Sequence, residues 1–211
     1  GSIDPVRDIE VIQTELILTD LQTLERRMAK TEKMYRVGAK ETALELEVYR
    51  EVQSVLNQGH RAGALHMTGE KETIYSDLHL LTGKPIFYVA NVDQKELKGE
   101  GSCLKAMIQW AQKEGSRVVI ICGDLEAELA ELKEEEREEF RRELGLEGSS
   151  LERLVQVGYE VLSLVTFYTT VSLELRAWTV SNGTPAPKAA GKIHSDMERG
   201  FIRAEVISFS D

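Results

Sequence analysis

An α/β protein that begins with a helical hairpin and ends in a small α+β module is the architecture this sequence predicts. First, apolar residues recur at spacings of three and four from Asp8 to about Asn57, the period of amphipathic helices. Second, two apolar runs, Ile86–Ala90 and Arg117–Cys122, flank a helical pattern, which is the strand-helix-strand order of a parallel sheet. Third, after Gly148 the pattern becomes helix, two β-rich runs, helix and a last β-rich run.

Each element follows from local signals. Asp4-Pro5 marks a helix entry; Ile9, Ile12 and Leu16, then Leu21, Leu24 and Met28, line the first helix, and Leu44, Val48, Val52 and Val55 line the second. The polar stretch Lys30–Lys40, containing Gly38, suits the turn of an antiparallel hairpin or short two-stranded coiled coil. Ile86–Ala90 is almost wholly apolar, as expected of a strand buried on both faces, and it ends in Asn91-Val92-Asp93-Gln94. Leu104–Lys113 reads as a helix with Met107 and Trp110 inward, and Arg117–Cys122 as the second buried strand. Leu125–Glu143 reads as one charged, exposed helical stretch, with glutamates three and four residues from Arg137, Arg141 and Arg142.

Downstream, Leu151–Leu162 is a helix, and Thr166–Thr169 and Leu173–Val180 are paired strands. A turn at Ser181–Pro185 leads to a helix over Ala186–Glu198, ended by Gly200, and to a last strand Ile202–Ile207.

Composition excludes several classes. With 211 residues and 42% hydrophobic content the chain buries a real core. No uninterrupted apolar run reaches the roughly 18 residues of a membrane span, and no signal-peptide pattern opens the sequence, so a cytoplasmic protein with no membrane partner is expected. Cys103 and Cys122 form no Cys-x-x-Cys pair and no histidines cluster, so neither a disulfide framework nor a zinc site is encoded. The net charge of −10 opposes general binding to nucleic acid, and no DNA partner is expected.

The run AGKIHSDMERGFIRAE, Ala190 to Glu205, resembles the TGS-domain signature of the YchF-type, Obg-like ATPase family. Glu174–Thr179, Tyr88–Val92 and Asp8–Leu16 resemble the family as well, in family order. The resemblance implies a P-loop ATPase, similar in fold to translational GTPases, that binds ATP and associates with the large ribosomal subunit. It implies a partial P-loop nucleotide-binding domain of α/β type with an inserted antiparallel helical coiled-coil arm, then an α+β TGS domain of β-grasp type. Residues 1–16 would end the first half of the nucleotide domain, 17–62 form the arm and 63–82 a connector. Residues 83–160 would be the second half with charged linking helices, and 161–211 a truncated TGS domain.

Phosphate binding in this class needs a glycine-rich turn followed by Lys and Ser or Thr, whose N–H groups cradle the phosphates while the hydroxyl holds magnesium. No G-x-x-x-x-G-K-[ST] string occurs; Gly83-Lys84 and Gly191-Lys192 are the only Gly-Lys pairs and neither fits. The magnesium ligands are therefore expected outside this sequence, and the chain alone is expected not to hydrolyse ATP. Base recognition is expected to remain. Asn91 and Val92 follow a strand at the carboxyl edge of a parallel sheet, where ligand crevices open. Gln94 stands where the family carries glutamate, and its amide both donates and accepts. Cys122 and Gly123 resemble the loop that covers the base through backbone N–H groups. Adenine is the expected base, because the carboxylate that reads guanine in Asn-Lys-x-Asp is absent from the fourth position.

Two basic clusters stand out in an acidic chain: Arg26, Arg27, Lys30, Lys33, Arg36 and Lys40, and Lys188, Lys192, Arg199 and Arg203. They are the expected contacts to ribosomal RNA, against the plainer reading of solvated charges. His194 and Asp196 lie two apart on one expected helix and are not expected to face each other. The rival to an ATPase fragment is a non-catalytic TGS and coiled-coil docking module. A TGS-bearing aminoacyl-tRNA synthetase or stringent-response enzyme would fit the C-terminal module alone. Unpaired sheet edges would make the chain unstable or associating.

Overall fold

A computed structural model describes residues 3–39, 42–97, 99, 101–146, 148–170 and 174–208. The chain forms two compact units, residues 1–131 and 132–211.

The first unit opens with helix α1, Pro5–Arg36, at about 1.5 Å per residue a rod of nearly 50 Å. The Asp4 side chain accepts the Arg7 N–H at 3.2 Å and Pro5 supplies a preset φ at the first turn. Helix α2, Thr42–Asn57, runs back along α1, since Thr31 near the end of α1 donates to Glu45 near the start of α2 at 3.3 Å. Ile17 and Leu24 of α1 and Val48, Tyr49, Val52 and Leu56 of α2 form a core closed by Ala62, Leu78 and Leu80. A short helix α3, Glu70–Ser76, lies between these last contributors. The hairpin turn is much shorter than the polar stretch suggested. Lys30 to Arg36 remain helical, because nothing among them breaks a helix, and reversal waits for Gly38 at φ +103°. Polarity there marks an exposed helical face, and Lys40 lies outside the described residues.

Strand β1, Phe87–Asn91, pairs in parallel with β2, Arg117–Ile121, in the register Phe87↔Arg117 to Asn91↔Ile121. Helix α4, Ser102–Glu114, makes the crossover, and its Leu104 and Met107 pack on Ala90, Tyr88, Val118 and Ile120, joined by Ile9 of α1. The expected burial of β1 on both faces is corrected. The face toward α4 is covered, but the opposite face is covered at Val119 and open at Val89, 41% exposed. The alternation of a strand lets one residue sit in core while its neighbour faces solvent, and apolar runs hide that difference.

The expected single helix over 125–143 is two: α5, Gly123–Ala130, and α6, Glu134–Glu143. Lys133 adopts extended backbone between them, and its N–H is met by Glu136 at 3.4 Å, so a new helix starts there. The division between units falls in this break.

In the second unit, α7 spans Ser150–Val161 behind a reciprocal cap: Leu151 N–H donates to Ser149 Oγ and Ser149 N–H to Glu152, both at 3.1 Å. Strands β3, Leu164–Thr169, and β4, Arg176–Ser181, are antiparallel with Phe167 opposite Trp178. Leu173, the expected start of β4, lies outside the described residues. The expected helix over 186–198 is broken into α8, Ala186–Ile193, and α9, Ser195–Arg199, by His194, whose φ of −159° is extended. The expected strand Ile202–Ile207 is not formed. Those residues pair with neither β3 nor β4, and Ile202, Val206 and Ile207 are more than four-fifths exposed. β-rich composition makes a strand only where an edge supplies hydrogen bonds.

Candidate functional site

The candidate site lies at the carboxyl ends of β1 and β2. Asn91 is the last residue of β1 and is exposed. Its Oδ1 accepts the Gly123 backbone N–H at 2.9 Å, joining the two strand ends, and the Val92 N–H donates to Ile121 O at 2.9 Å just before. The bond fixes which end of the amide is which. A backbone N–H must meet the oxygen, so the Asn91 NH2 group is turned to its other side with donors to offer. Gly123 is the first residue of α5, and a Cβ there would sit 3.4 Å from Asn91 Oδ1, ordinary contact distance.

The other expected base-site residues are placed differently. Cys122 is buried, 5% exposed, so its thiol faces the core and only its backbone borders the strand ends. Gln94 begins a single 3-10 turn, Gln94–Glu96, and is exposed with its amide unengaged by the described residues. Thus the fold brings Asn91 and Gly123 into direct contact, keeps Val92 adjacent through the backbone, and leaves Gln94 on the rim.

Both groups of basic residues are partly gathered by concavities. Arg26, Arg27 and Lys30 line one of about 630 Å³ on the first unit, whereas Lys33 does not border it. Lys188 and Lys192 line another of about 500 Å³ on the second unit, with hydroxyls from Thr179, Ser181 and Thr184. Arg199 and Arg203 are exposed. His194 and Asp196 do approach, at 3.5 Å between Nδ1 and Oδ2, contrary to expectation. The helix break turns His194 into the cap of α9, where Nδ1 accepts the Asp196 N–H at 3.2 Å; both side chains are exposed, as befits a cap.

Two clusters behind the site escaped the sequence reading. Asp20, 2% exposed, accepts the Leu81 N–H at 2.8 Å and the Thr82 N–H and hydroxyl at 2.7 Å, latching α1 to the segment that leads into β1. A carboxylate between Ile17 and Leu24 on the apolar stripe was the available signal. The Tyr88 hydroxyl donates to Glu114 at 2.5 Å while Gln13 donates to Glu114 at 2.6 Å, tying α1, β1 and α4 together. Burial pushes the Tyr88 phenol above its ordinary value, and the Glu114 carboxylate adds to the rise.

Among the described residues no group of three or more His, Cys, Asp or Glu side chains could hold a metal ion, and no helix is long and apolar enough to cross a membrane.

Residues 164–211 match the family model YchF-GTPase_C, described as a protein of unknown function. The whole chain is 44% identical to the ribosome-binding ATPase YchF of Escherichia coli O157:H7 and 39% identical to that of Bacillus subtilis, covering 58% of each. It is 37% identical to Obg-like ATPase 1 of Caenorhabditis elegans, covering 54% of it. A solved structure, described as the Schizosaccharomyces pombe YchF GTPase, superposes with a TM-score of 0.85 at 28% identity, over 96% of this chain and 56% of that one. The chain thus spans somewhat more than half the length of its relatives.

Proposed function

We propose that the chain, which is similar over its whole length to YchF and Obg-like ATPases, is part of such a protein and supplies the base-reading end of a nucleotide-binding, ATP-hydrolysing protein that docks on the large ribosomal subunit. The observation that carries the base site is the bond from Gly123 N–H to Asn91 Oδ1. With its oxygen engaged by Gly123, Asn91 turns its NH2 group, a donor, toward a ligand. The N7 atom of a purine is an acceptor in both adenine and guanine, so Asn91 holds the ring without choosing between them. Choice falls to Gln94 and to the backbone of Val92, Cys122 and Gly123. The Gln94 carbonyl can accept from the adenine amino group as the family's glutamate would, and its NH2 group can donate to a ring acceptor besides. Adenine is the favoured base on this account.

Phosphate binding and hydrolysis are assigned to residues outside this sequence, since it has no phosphate-loop string, and the chain alone is inactive on this reading. Magnesium, held with the phosphates, would offset charge developing during transfer. This chain's own contribution is to hold and orient the base.

The finer architecture is part of the proposal: residues 17–62 as a coiled-coil arm, 63–82 as connector, 83–160 as the second half of the nucleotide domain and 161–211 as a TGS domain of β-grasp type. The arm would share the continuous helix α1 with residues 5–16, so its direction is fixed by the contacts of Gln13 and Asp20. Ribosome contact is assigned to exposed cations, Arg26, Arg27, Lys30 and Lys33 on α1 and Lys188, Lys192 and Arg199 on the second unit.

Calorimetry on a family-length protein carrying these residues tests the reading. ATP should bind more tightly than GTP, Asn91→Ala should weaken both, and Gln94→Glu should change their ratio. Equal affinities untouched by either substitution would favour the docking module, in which the α/β segment is only a scaffold.

A further inference from the structure

Arg26, Arg27 and Lys30 differ from the other basic residues of α1 in what surrounds them. Thr23, Arg27, Lys30 and Met34 recur at four, three and four residues, one face of the helix, and Arg26 stands beside them. This face forms one wall of the concavity of about 630 Å³, a size typical of small-ligand sites. Tyr49 of α2 and Ile74 of α3 give it apolar surface. Glu45 of α2 and Asp77, just after α3, also line it.

The three cations have no carboxylate partner among the described residues, although the chain as a whole is acidic with a net charge of −10. Arg26 donates through Nε to Gln22 O at 3.1 Å and through Nη2 to Thr23 Oγ1 at 3.4 Å, which leaves further guanidinium donors, and Arg27 donates to Asp77 O at 3.4 Å. Glu45 is engaged by Thr31 rather than by any of the three. Like charges are therefore held together over a concave surface while the Glu45 carboxylate is met by Thr31, an arrangement that an anion would relieve.

We infer that this concavity binds a small phosphorylated molecule, its phosphate against Arg26, Arg27 and Lys30 and its uncharged or donor-bearing end toward Glu45, Asp77 and Tyr49. The two acidic residues decide the class of ligand. A continuous polyanion laid through the concavity would carry phosphates past Glu45 and Asp77, whereas a compact ligand with charge at one end meets cations there and acceptors at the other. The site is separate from the strand ends at Asn91 and does not rest on the nucleotide reading. It goes beyond ribosome docking by giving three of the α1 cations a ligand of their own and leaving Lys33 to the surface.

The test is titration of the 211-residue chain with sodium pyrophosphate and with ribose 5-phosphate, followed by amide NMR, with a short single-stranded oligoribonucleotide in parallel. The expected result is saturable binding of the small phosphates that shifts amides of 23–34, 45–49 and 74–77. Lys30→Gln should weaken it by about fivefold or more, while Lys33→Gln, an equal change of charge one turn along α1 at a residue that does not line the concavity, changes it by less than about twofold. Both positions are exposed, and unchanged amide spectra away from the concavity check that the variants fold. No saturation by about 10 mM overturns the inference. So does equal weakening by Lys33→Gln, which would mean a diffuse field, and so does an oligoribonucleotide that shifts these amides at lower concentration than either small phosphate, which would make the surface an RNA contact.

Discussion

Replacing Asp20 by Ala removes the acceptor for two backbone N–H groups, those of Leu81 and Thr82, and for the Thr82 hydroxyl. Thr82 is 1% exposed and Asp20 2%, so water does not readily take the place of the carboxylate. A buried donor left without a partner costs about 1–3 kcal/mol, and the Thr82 hydroxyl can turn to another acceptor, so the two amides set the scale. Relief from burying the charge offsets part of this. The net expectation is a loss of about 3–4 kcal/mol, a large share of an ordinary domain's stability. Asp20→Asn should cost less, because its oxygen can still serve Leu81, but its NH2 group then faces the Thr82 N–H, donor against donor. Urea unfolding followed by circular dichroism measures the loss, and hydrogen exchange at Leu81 and Thr82 follows the latch directly. Asp8→Ala, at an exposed position of the same helix, is the control and should stay within about 0.5 kcal/mol. A loss below about 1 kcal/mol for Asp20→Ala, with those two amides still protected, would refute the reasoning.

Other outcomes follow from the same geometry. Ser149→Ala removes the oxygen that caps Leu151 and should cost about 0.5–2 kcal/mol, with exchange quickening first in the opening turn of α7. Alkaline solution should destabilise the chain. Tyr49, Tyr75 and Tyr88 are all held above the ordinary phenol value, chiefly by burial, so the folded form keeps protons that the unfolded chain releases. The stability they confer is fully present below the ordinary tyrosine value of about 10 and is lost as pH rises through their raised values. Urea midpoints should be level near neutrality and fall above that point; a midpoint that rose there would contradict the assignment. Glu114→Gln should lower the pH at which Tyr88 ionises, read by ultraviolet difference absorbance, because the carboxylate is one of the causes that raise it.

Much of the fold was legible because period and punctuation agree over long stretches. The helices α1 and α2, the βαβ unit and the antiparallel strands all follow from spacing and from short apolar runs. Where the sequence reading erred, local composition was outvoted by a partner or by one backbone angle. Lys30–Arg36 looked like a turn because polar residues serve exposed helix and loop equally well. His194 was read as interior to a helix because its capping of Asp196 depends on a single extended residue. Val89 was expected in core because strand alternation tells which residues share a face and not which face is covered. At the candidate site, Asn91 and Gly123 were legible as strand-end residues, but the bond between them spans 32 positions and emerges only from the parallel register. Asp20 was passed over for the converse reason: its partners at 81 and 82 carry no motif, only backbone N–H groups.

Asn91 and the Gly123 loop are proposed to hold a purine base, and a direct test follows their own atoms. In a titration of the 15N-labelled chain with ATP, the Asn91 side-chain NH2 and the Gly123 amide should shift together and saturably, and both responses should vanish in Asn91→Ala. If ATP moves other residues while these two signals stay still, the base does not sit at the ends of β1 and β2, and the account fails at its centre.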